Sequence, residues 1–357
     1  MVNFETFKFY MNLESLPWVM KLNIYFTVFF ISLAIIFFIS IVWIRILKIY
    51  RNEKKRKQQS LLIDFLNSFL FDEDFDKELE IKNFKENHLK TSLEIKVTIK
   101  EILHFHENLK GESARDLETL FIELGLVEFT LLDLEDGRWF TTARAINALS
   151  ELSIEVPNSR IEPYLNESRN EVRQQSQLYF LKLSKEEPLK FLDKTVRPLT
   201  TWQQIYIENA LKNFYKGPAP DFSQWLDHEL TSVVEFSIRM IARYNQFENI
   251  PKLIPFLSSK RDKLKCEAIA SLANLEDTGL LDLIIPNFAD NSRIIKLEIL
   301  DAVEQIGNYE DLKKVGSQIA TTDWELRIKY HNIEQGFLPD KKELIYSQFM
   351  LEDRFEI

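Results

Sequence analysis

The chain has 357 residues, with 45 Lys and Arg against 55 Asp and Glu, a net charge of −10 and a single cysteine, Cys266. One thiol excludes an intramolecular disulfide framework. The charge is unevenly placed: residues 58–357 hold 36 cations and 52 anions, a net −16, which excludes the basic footprint that nucleic-acid binding requires.

Residues 1–21 balance Lys8 and Lys21 against Glu5 and Glu14. Residues 22–44, LNIYFTVFFISLAIIFFISIVWI, then contain no Asp, Glu, Lys, Arg or His. As a helix this run is about 34 Å long, enough to cross a hydrocarbon core of about 30 Å. It predicts one transmembrane helix, flanked by Trp18, Tyr25, Trp43 and Tyr50 at interfacial positions. A cleaved signal peptide would have a shorter apolar core and a small-residue exit, and a buried core helix would leave a polar face. Residues 45–57 follow with Arg45, Lys48, Arg51, Lys54, Lys55, Arg56 and Lys57 against Glu53 alone. Cations beside a span stay on the cytoplasmic side, so the expected topology puts residues 1–21 outside and the acidic bulk of the chain inside. The same cations suit anionic lipid headgroups.

From residue 58 the pattern is helical. Leu61, Leu62, Phe65, Leu66 and Phe69 form one apolar stripe, and the acidic stretch Phe71–Glu78 reads as a loop. A helix is expected over about 89–109. Gly111 closes it, Ser113 caps the next helix over 114–124, and Gly125 ends that one in turn. No long alternating run flanked by hairpin turns appears, so the expected class is all-α.

After about Arg138 the chain repeats. Alignment on Lys265 gives Arg144, Arg173, Gln204, Glu235, Lys265, Lys296 and Arg327, at intervals of 29, 31, 31, 30, 31 and 31 residues. Three residues later stand Ser176, Ile207, Ile238, Ala268, Ile299 and Tyr330, with Asn147 the exception. Ten residues earlier stand Pro163, Pro255 and Pro286. A fixed period of this length in a helical chain predicts a solenoid of helix pairs. Thr201/Gln204, Ser232/Glu235 and Thr322/Glu325 are expected capping boxes, and Asn170, Asp262 and Asn291 expected caps, of the second helices.

The proline of the first helix, the Asp or Asn of the turn and the Val/Leu-Arg/Lys-x-x-Ala of the second helix resemble the HEAT-repeat family. Pro255/Asp262/Leu264-Lys265/Ala268 and Pro163/Asn170/Val172-Arg173/Ser176 carry the resemblance best. It covers roughly 138–337, and 58–137 more weakly. The units of Gln204 and Glu235 depart from it, and the GPAPD stretch at 217–221 marks an irregular junction. The resemblance implies a right-handed α-solenoid behind the single N-terminal span. The expected organisation is 1–21 extracytoplasmic, 22–44 transmembrane, 45–57 basic juxtamembrane, 58–137 divergent helical repeats, 138–337 HEAT-like repeats and 338–357 a C-terminal tail. The whole layout is similar to bacterial membrane-anchored HEAT proteins associated with family-two glycosyltransferases, which implies an accessory role in envelope polysaccharide synthesis.

Signals for chemistry are sparse. His104 and His106 lie two apart, about 200° around a helix, and cannot share a metal. Asp72, Asp74 and Asp76 imitate the start of a calcium loop, but Lys77 and Asn83 stand where its Gly and Glu belong. No Gly-rich phosphate loop and no nucleophile motif occur, and Asn166-Glu167-Ser168 is a glycosylation acceptor only on the wrong side of the membrane. Asp227, Glu229 and Glu235 read as acids on solvated faces. No enzyme, metal or cofactor is expected. Trp139, Trp202, Trp225 and Trp324, at or near helix starts, are the candidate partner surface, with inter-repeat packing as the competing role. Arg144, Arg173, Lys265, Lys296 and Arg327 are expected to form a ladder with turn acids such as Asp262, Asp290 and Asp323, in preference to lining a groove. The leading expectation is a membrane-anchored scaffold binding a partner protein. A ligand sensor with a polar-lined pocket, and a HEAT-type lyase or hydrolase with convergent carboxylates, are the alternatives.

Overall fold

The computed structural model describes residues 17–184 and 186–337; the expected N-terminal segment before Pro17 and the tail 338–357 lie outside the described residues. Fifteen α-helices and several short 3-10 turns, with no strand, make up the described residues. The chain divides into two compact units, 1–129 and 130–357.

In the first unit, α1 (Trp18–Phe71) is one continuous helix of 54 residues. No Gly or Pro interrupts it, so nothing removes a backbone hydrogen bond or frees the chain to bend. Thr27, Ser32 and Ser40 donate to the carbonyls of Asn23, Val28 and Ile36, each at 2.8 Å, which leaves their hydroxyls satisfied without water. Residues 22–44 are exposed along the whole run apart from half-buried Leu33. Among the described residues α1 is the one helix long and apolar enough to cross a membrane, with mean hydropathy 2.7 over its most apolar window. The last turns change character: Gln58, Leu62, Leu66 and Phe69, spaced four, four and three apart, are buried and pack on α3 (Ser92–Asn108).

Residues 72–76 of the acidic stretch form the expected loop, and its last two residues, Lys77 and Glu78, open helix α2 (Lys77–His88). Asp76 accepts from the Leu79 amide at 3.2 Å and caps it. Phe65 of α1 stacks on Phe84 of α2 at 4.4 Å and meets Phe75 edge-on at 5.7 Å. α3 starts on the capping box Thr91/Glu94. α4 (Glu112–Glu123) begins at Gly111 in place of Ser113. Gly111 and Gly125 both hold φ near +70°, where a side chain would be strained. α5 (Leu126–Leu134) spans the division between the units.

The second unit repeats a pattern. Long helices α6 (Trp139–Glu151), α7 (Asn170–Leu183), α8 (Thr201–Phe214), α9 (Thr231–Arg243), α11 (Asp262–Asn274), α13 (Arg293–Ile306) and α15 (Trp324–Phe337) follow one another. Between them come short pieces, including α10 (Ile250–Leu253), α12 (Leu280–Ile284), α14 (Tyr309–Gly316) and 3-10 turns at Glu162–Asn166, Lys190–Lys194, Phe222–Trp225 and Ile254–Ser258. The expected first helices are thus mostly single turns. Pro163 and Pro255 sit at the first positions of two of them, where a missing N–H is tolerated but a long helix does not propagate.

Long helices pack in series: α6 on α7, α7 on α8, α9 on α11, α11 on α13 and α13 on α15. Ser176, Ile207, Ile238, Ala268 and Ile299, one per period, are all buried, so this position faces the core in those five repeats, whereas Asn147 and Tyr330 are half-buried. At the GPAPD junction, α8 and α9 are joined through side chains: Ser232 Oγ accepts from the Leu199 amide at 2.8 Å, and the Gln204 amide donates to the Ser232 carbonyl at 3.2 Å.

Several expected caps fall one residue out of place. The box on α8 is Thr200/Gln203, Ser232 serves the neighbouring loop, and Asp323 meets the first turn of α15 through the Leu326 amide at 3.4 Å. Asn170 and Asp262 are the first residues of α7 and α11, with no side-chain cap bond at either N-terminus.

Candidate partner interface

The four tryptophans separate on burial. Trp202 is 81% exposed, Trp324 68% and Trp139 42%, whereas Trp225 is 3% exposed. Trp225 is therefore removed from the candidate surface. It sits in a 3-10 turn, beside Phe222, and its indole N–H donates to Asp193 Oδ1 at 2.7 Å across 32 residues of sequence. Trp202 and Trp324 project from the first turns of α8 and α15, and Ile294, on the first turn of α13, is also exposed.

The expected ladder is corrected as well. Arg144 donates to the Phe140 carbonyl at 3.1 Å and lies over the Phe140 ring. Arg173 is buried and donates to the carbonyls of Glu167 and Ser168 at 2.6 and 2.9 Å and to Asn170; burial first, then nearby Arg197, lowers its pKa. Lys265 donates to Asn291, Lys296 lies over Phe288 at 5.8 Å and Arg327 donates to the Thr321 carbonyl at 3.3 Å. None of these partners is a carboxylate. Only Lys265 reaches a turn residue of the next repeat.

Charged rungs between repeats exist at other positions. Arg243 pairs with Glu208 at 3.2 Å, Arg239 with Glu267 at 3.0 Å, Lys263 with Glu235, Arg293 with Asp323 at 3.4 Å and with Glu325, and Lys329 with Asp301. Ser292 donates to Asp262. Two of the three turn acids are thus linked, but to residues at the start of α13: Asp262 to Ser292 just before it and Asp323 to Arg293, its first residue. The sequence signal was opposite charges 28 to 35 residues apart, which an alignment on one column does not register. Burial raises the pKa of Glu267, opposed by Arg239, and that of Glu298, where Asp301 adds to the rise.

All seven cations of the basic stretch are exposed. At about 100° per residue they surround α1 on every side. Glu53 lies 3.7 Å from Arg56, and Glu94 of α3 lies 3.6 Å from Lys54. His106 meets Glu118 at 3.2 Å and joins α3 to α4, whereas His104 is exposed. Asp72 and Asp76 are used within the turn, accepting from the amides of Asp74 and Leu79.

Two concavities stand out in the second unit. One, of about 580 Å³, lies against the starts of α6 and α7. Its wall contains Trp139, with the Arg169 guanidinium 5.8 Å above the ring, and Tyr164, whose hydroxyl donates to the Leu134 carbonyl at 2.8 Å. Arg138 and Glu135 also line it, but are already paired with Asp136 and Arg160. Bonds from Ser168 hold Glu167 below the usual carboxylate range, and burial, then Glu135, raises Tyr164. The other, of about 910 Å³, is lined by α14 and α15.

No family model matches the chain, and no curated protein matches its sequence. Among solved structures, a crystal structure of an engineered protein is similar at 12% identity, covering 72% of this chain and 96% of its own, with a TM-score of 0.22. A likeness at that level carries neither fold nor function.

Proposed function

We propose that this chain is a single-pass membrane scaffold. Residues 22–44 cross the bilayer with the N-terminus outside, residues 45–57 meet anionic headgroups on the cytoplasmic side, and the HEAT-like repeats form a right-handed α-solenoid that binds a partner protein. The observation that carries this reading is the two-part character of α1. Its first half exposes an unbroken apolar surface that has no place in water, and its last turns are locked into a packed core. The serial packing of the long helices, with rungs about 30 residues apart, supports the solenoid. Trp202 and Trp324 are its best partner contacts, since exposed Trp on a rigid helix gives large apolar area at low entropic cost. By the sequence resemblance, the partner is a membrane glycosyltransferase of the processive, polysaccharide-synthesising kind.

The test is capture of the full chain from detergent-solubilised membranes, comparing wild type with Trp202→Ala/Trp324→Ala. Recovery of a membrane glycosyltransferase by wild type and its loss in the variant is the expected result. Recovery of no envelope enzyme overturns the partner assignment. Topology is tested separately by protease protection in sealed vesicles: cleavage of the region after residue 57 from the outer face would reverse the orientation. The sensor reading rests on the 580 Å³ concavity, and predicts a small ligand that quenches Trp139 and leaves capture unchanged.

A further inference from the structure

The last long helix leaves a face uncovered that its predecessors cover. On α11 the residues Asp262, Cys266 and Ala270 lie four apart on one side, and Asp262 accepts from Ser292 at the start of α13. On α13 the positions 31 residues later are Arg293, Leu297 and Asp301, and two of them reach α15: Arg293 to Asp323 and Glu325, Asp301 to Lys329. The same step places Trp324, Ile328 and Asn332 on the equivalent side of α15. Where the earlier helices present charge to a neighbour, this one presents a Trp and an Ile that are 68% and 53% exposed. All three line the 910 Å³ concavity, together with Arg327. The opposite side of α15 is already used, because Leu326 and Ile333 are buried and Tyr330 rests on Gly316, where a Cβ would come within 2.4 Å of its ring.

We propose that residues 338–357 of this same chain cover the Trp324/Ile328 face and close that end of the second unit. The segment is 20 residues long and directly follows α15, long enough to turn back and run the roughly 20 Å from Phe337 to Trp324. Its apolar residues Leu344, Leu351 and Phe355 recur at the spacing of one helix side, with Ile345 and Phe349 beside them. Charge matches too: Glu352, Asp353 and Glu356 outnumber Arg354, while Arg327, exposed on α15, donates to the Thr321 carbonyl and pairs with no carboxylate among the described residues. A repeat whose outer surface no further described helix covers exposes what a neighbour would bury. The proposal depends on neither the membrane nor the partner reading of the chain.

The test is disulfide trapping in the full chain with Cys266→Ser, pairing Ile328→Cys with Leu344→Cys, Leu351→Cys or Phe355→Cys in turn. At least one pair should form an intramolecular disulfide at micromolar protein, while Trp202→Cys with Leu351→Cys should not. Deletion of residues 338–357 should raise amide exchange across 326–333 about tenfold or more, with exchange in 92–108 unchanged. Disulfides that form only between two chains would overturn the proposal in favour of a second copy on this face. Failure of all three pairs, or unchanged exchange after the deletion, would overturn it outright.

Discussion

At the scale of single residues, burial and hydrogen bonding sort side chains that look alike in sequence. Trp202 and Trp225 both stand near helix starts. Trp225 is enclosed and bonded to Asp193, so Trp225→Ala should cost about 3–5 kcal/mol. Trp202→Ala should lie within about 0.5 kcal/mol of wild type. Denaturant unfolding of the two variants checks this, and equal losses would mean that Trp202 is a packing residue. Cys266 makes a second case. Burial, then Glu298, Asp262 and Glu267, push its thiol up to about 11 from an ordinary 9.0. Two units leave about 100-fold less thiolate at pH 8. Iodoacetamide labelling of the folded chain should be slower than that of an ordinary thiol by about that factor, and should recover on unfolding. Labelling at the rate of a free thiol would contradict it.

At the scale of elements, Glu94 ties two helices through one carboxylate. It completes the capping box of α3, accepting from the Thr91 amide at 2.8 Å, and lies 3.6 Å from Lys54 of α1. Burial alone would raise its pKa, but the bonds from Thr91 and the charge of Lys54 bring it below the ordinary value. A lowered folded-state pKa means that the unfolded chain binds the proton more readily. The contribution is therefore complete above the unfolded carboxylate pKa and is lost as pH falls through the folded one. Glu94→Ala should cost about 1 kcal/mol at neutral pH and progressively less below about pH 4. A loss that stays constant down to pH 2 would assign the effect to packing. The elements also show where local reading fell short. The stripe Leu62, Leu66 and Phe69 was legible, but its continuity with residues 22–44 in one helix was not marked by any motif. It follows from the absence of Gly, Pro and caps between them. The loop before Lys77 was legible from its acidic run, but the helix after it was not, because charged residues dominate α2 and leave only Ile81 and Phe84 for it to bury.

At the scale of the whole molecule, the two compact units predict separable stability. Leu272 on α11 is fully buried, so Leu272→Ala should destabilise the second unit by about 2–5 kcal/mol. Hydrogen exchange should show amides of α9, α11 and α13 losing protection while those of α3 and α4 keep theirs. Uniform loss over both would show that the chain unfolds as one body.

Composition and periodicity alone determined the helical class, the apolar N-terminal run, the basic stretch beyond it and the 30-residue period. Each depends on residue type at fixed spacing, which is local information. The core position three residues after the aligned one was legible for the same reason, since Ile207, Ile238, Ala268 and Ile299 must face inward for the period to exist. Only the tertiary structure decided that Trp225 is interior, that the cross-repeat rungs run through Arg239, Lys263, Arg293 and Lys329, that most of the first helices shrink to single turns, and that α15 leaves Trp324 and Ile328 exposed. Those outcomes depend on which side of one helix meets another about 30 residues away. A one-residue change of register moves a side chain by about 100°, too fine a shift for spacing by itself to specify.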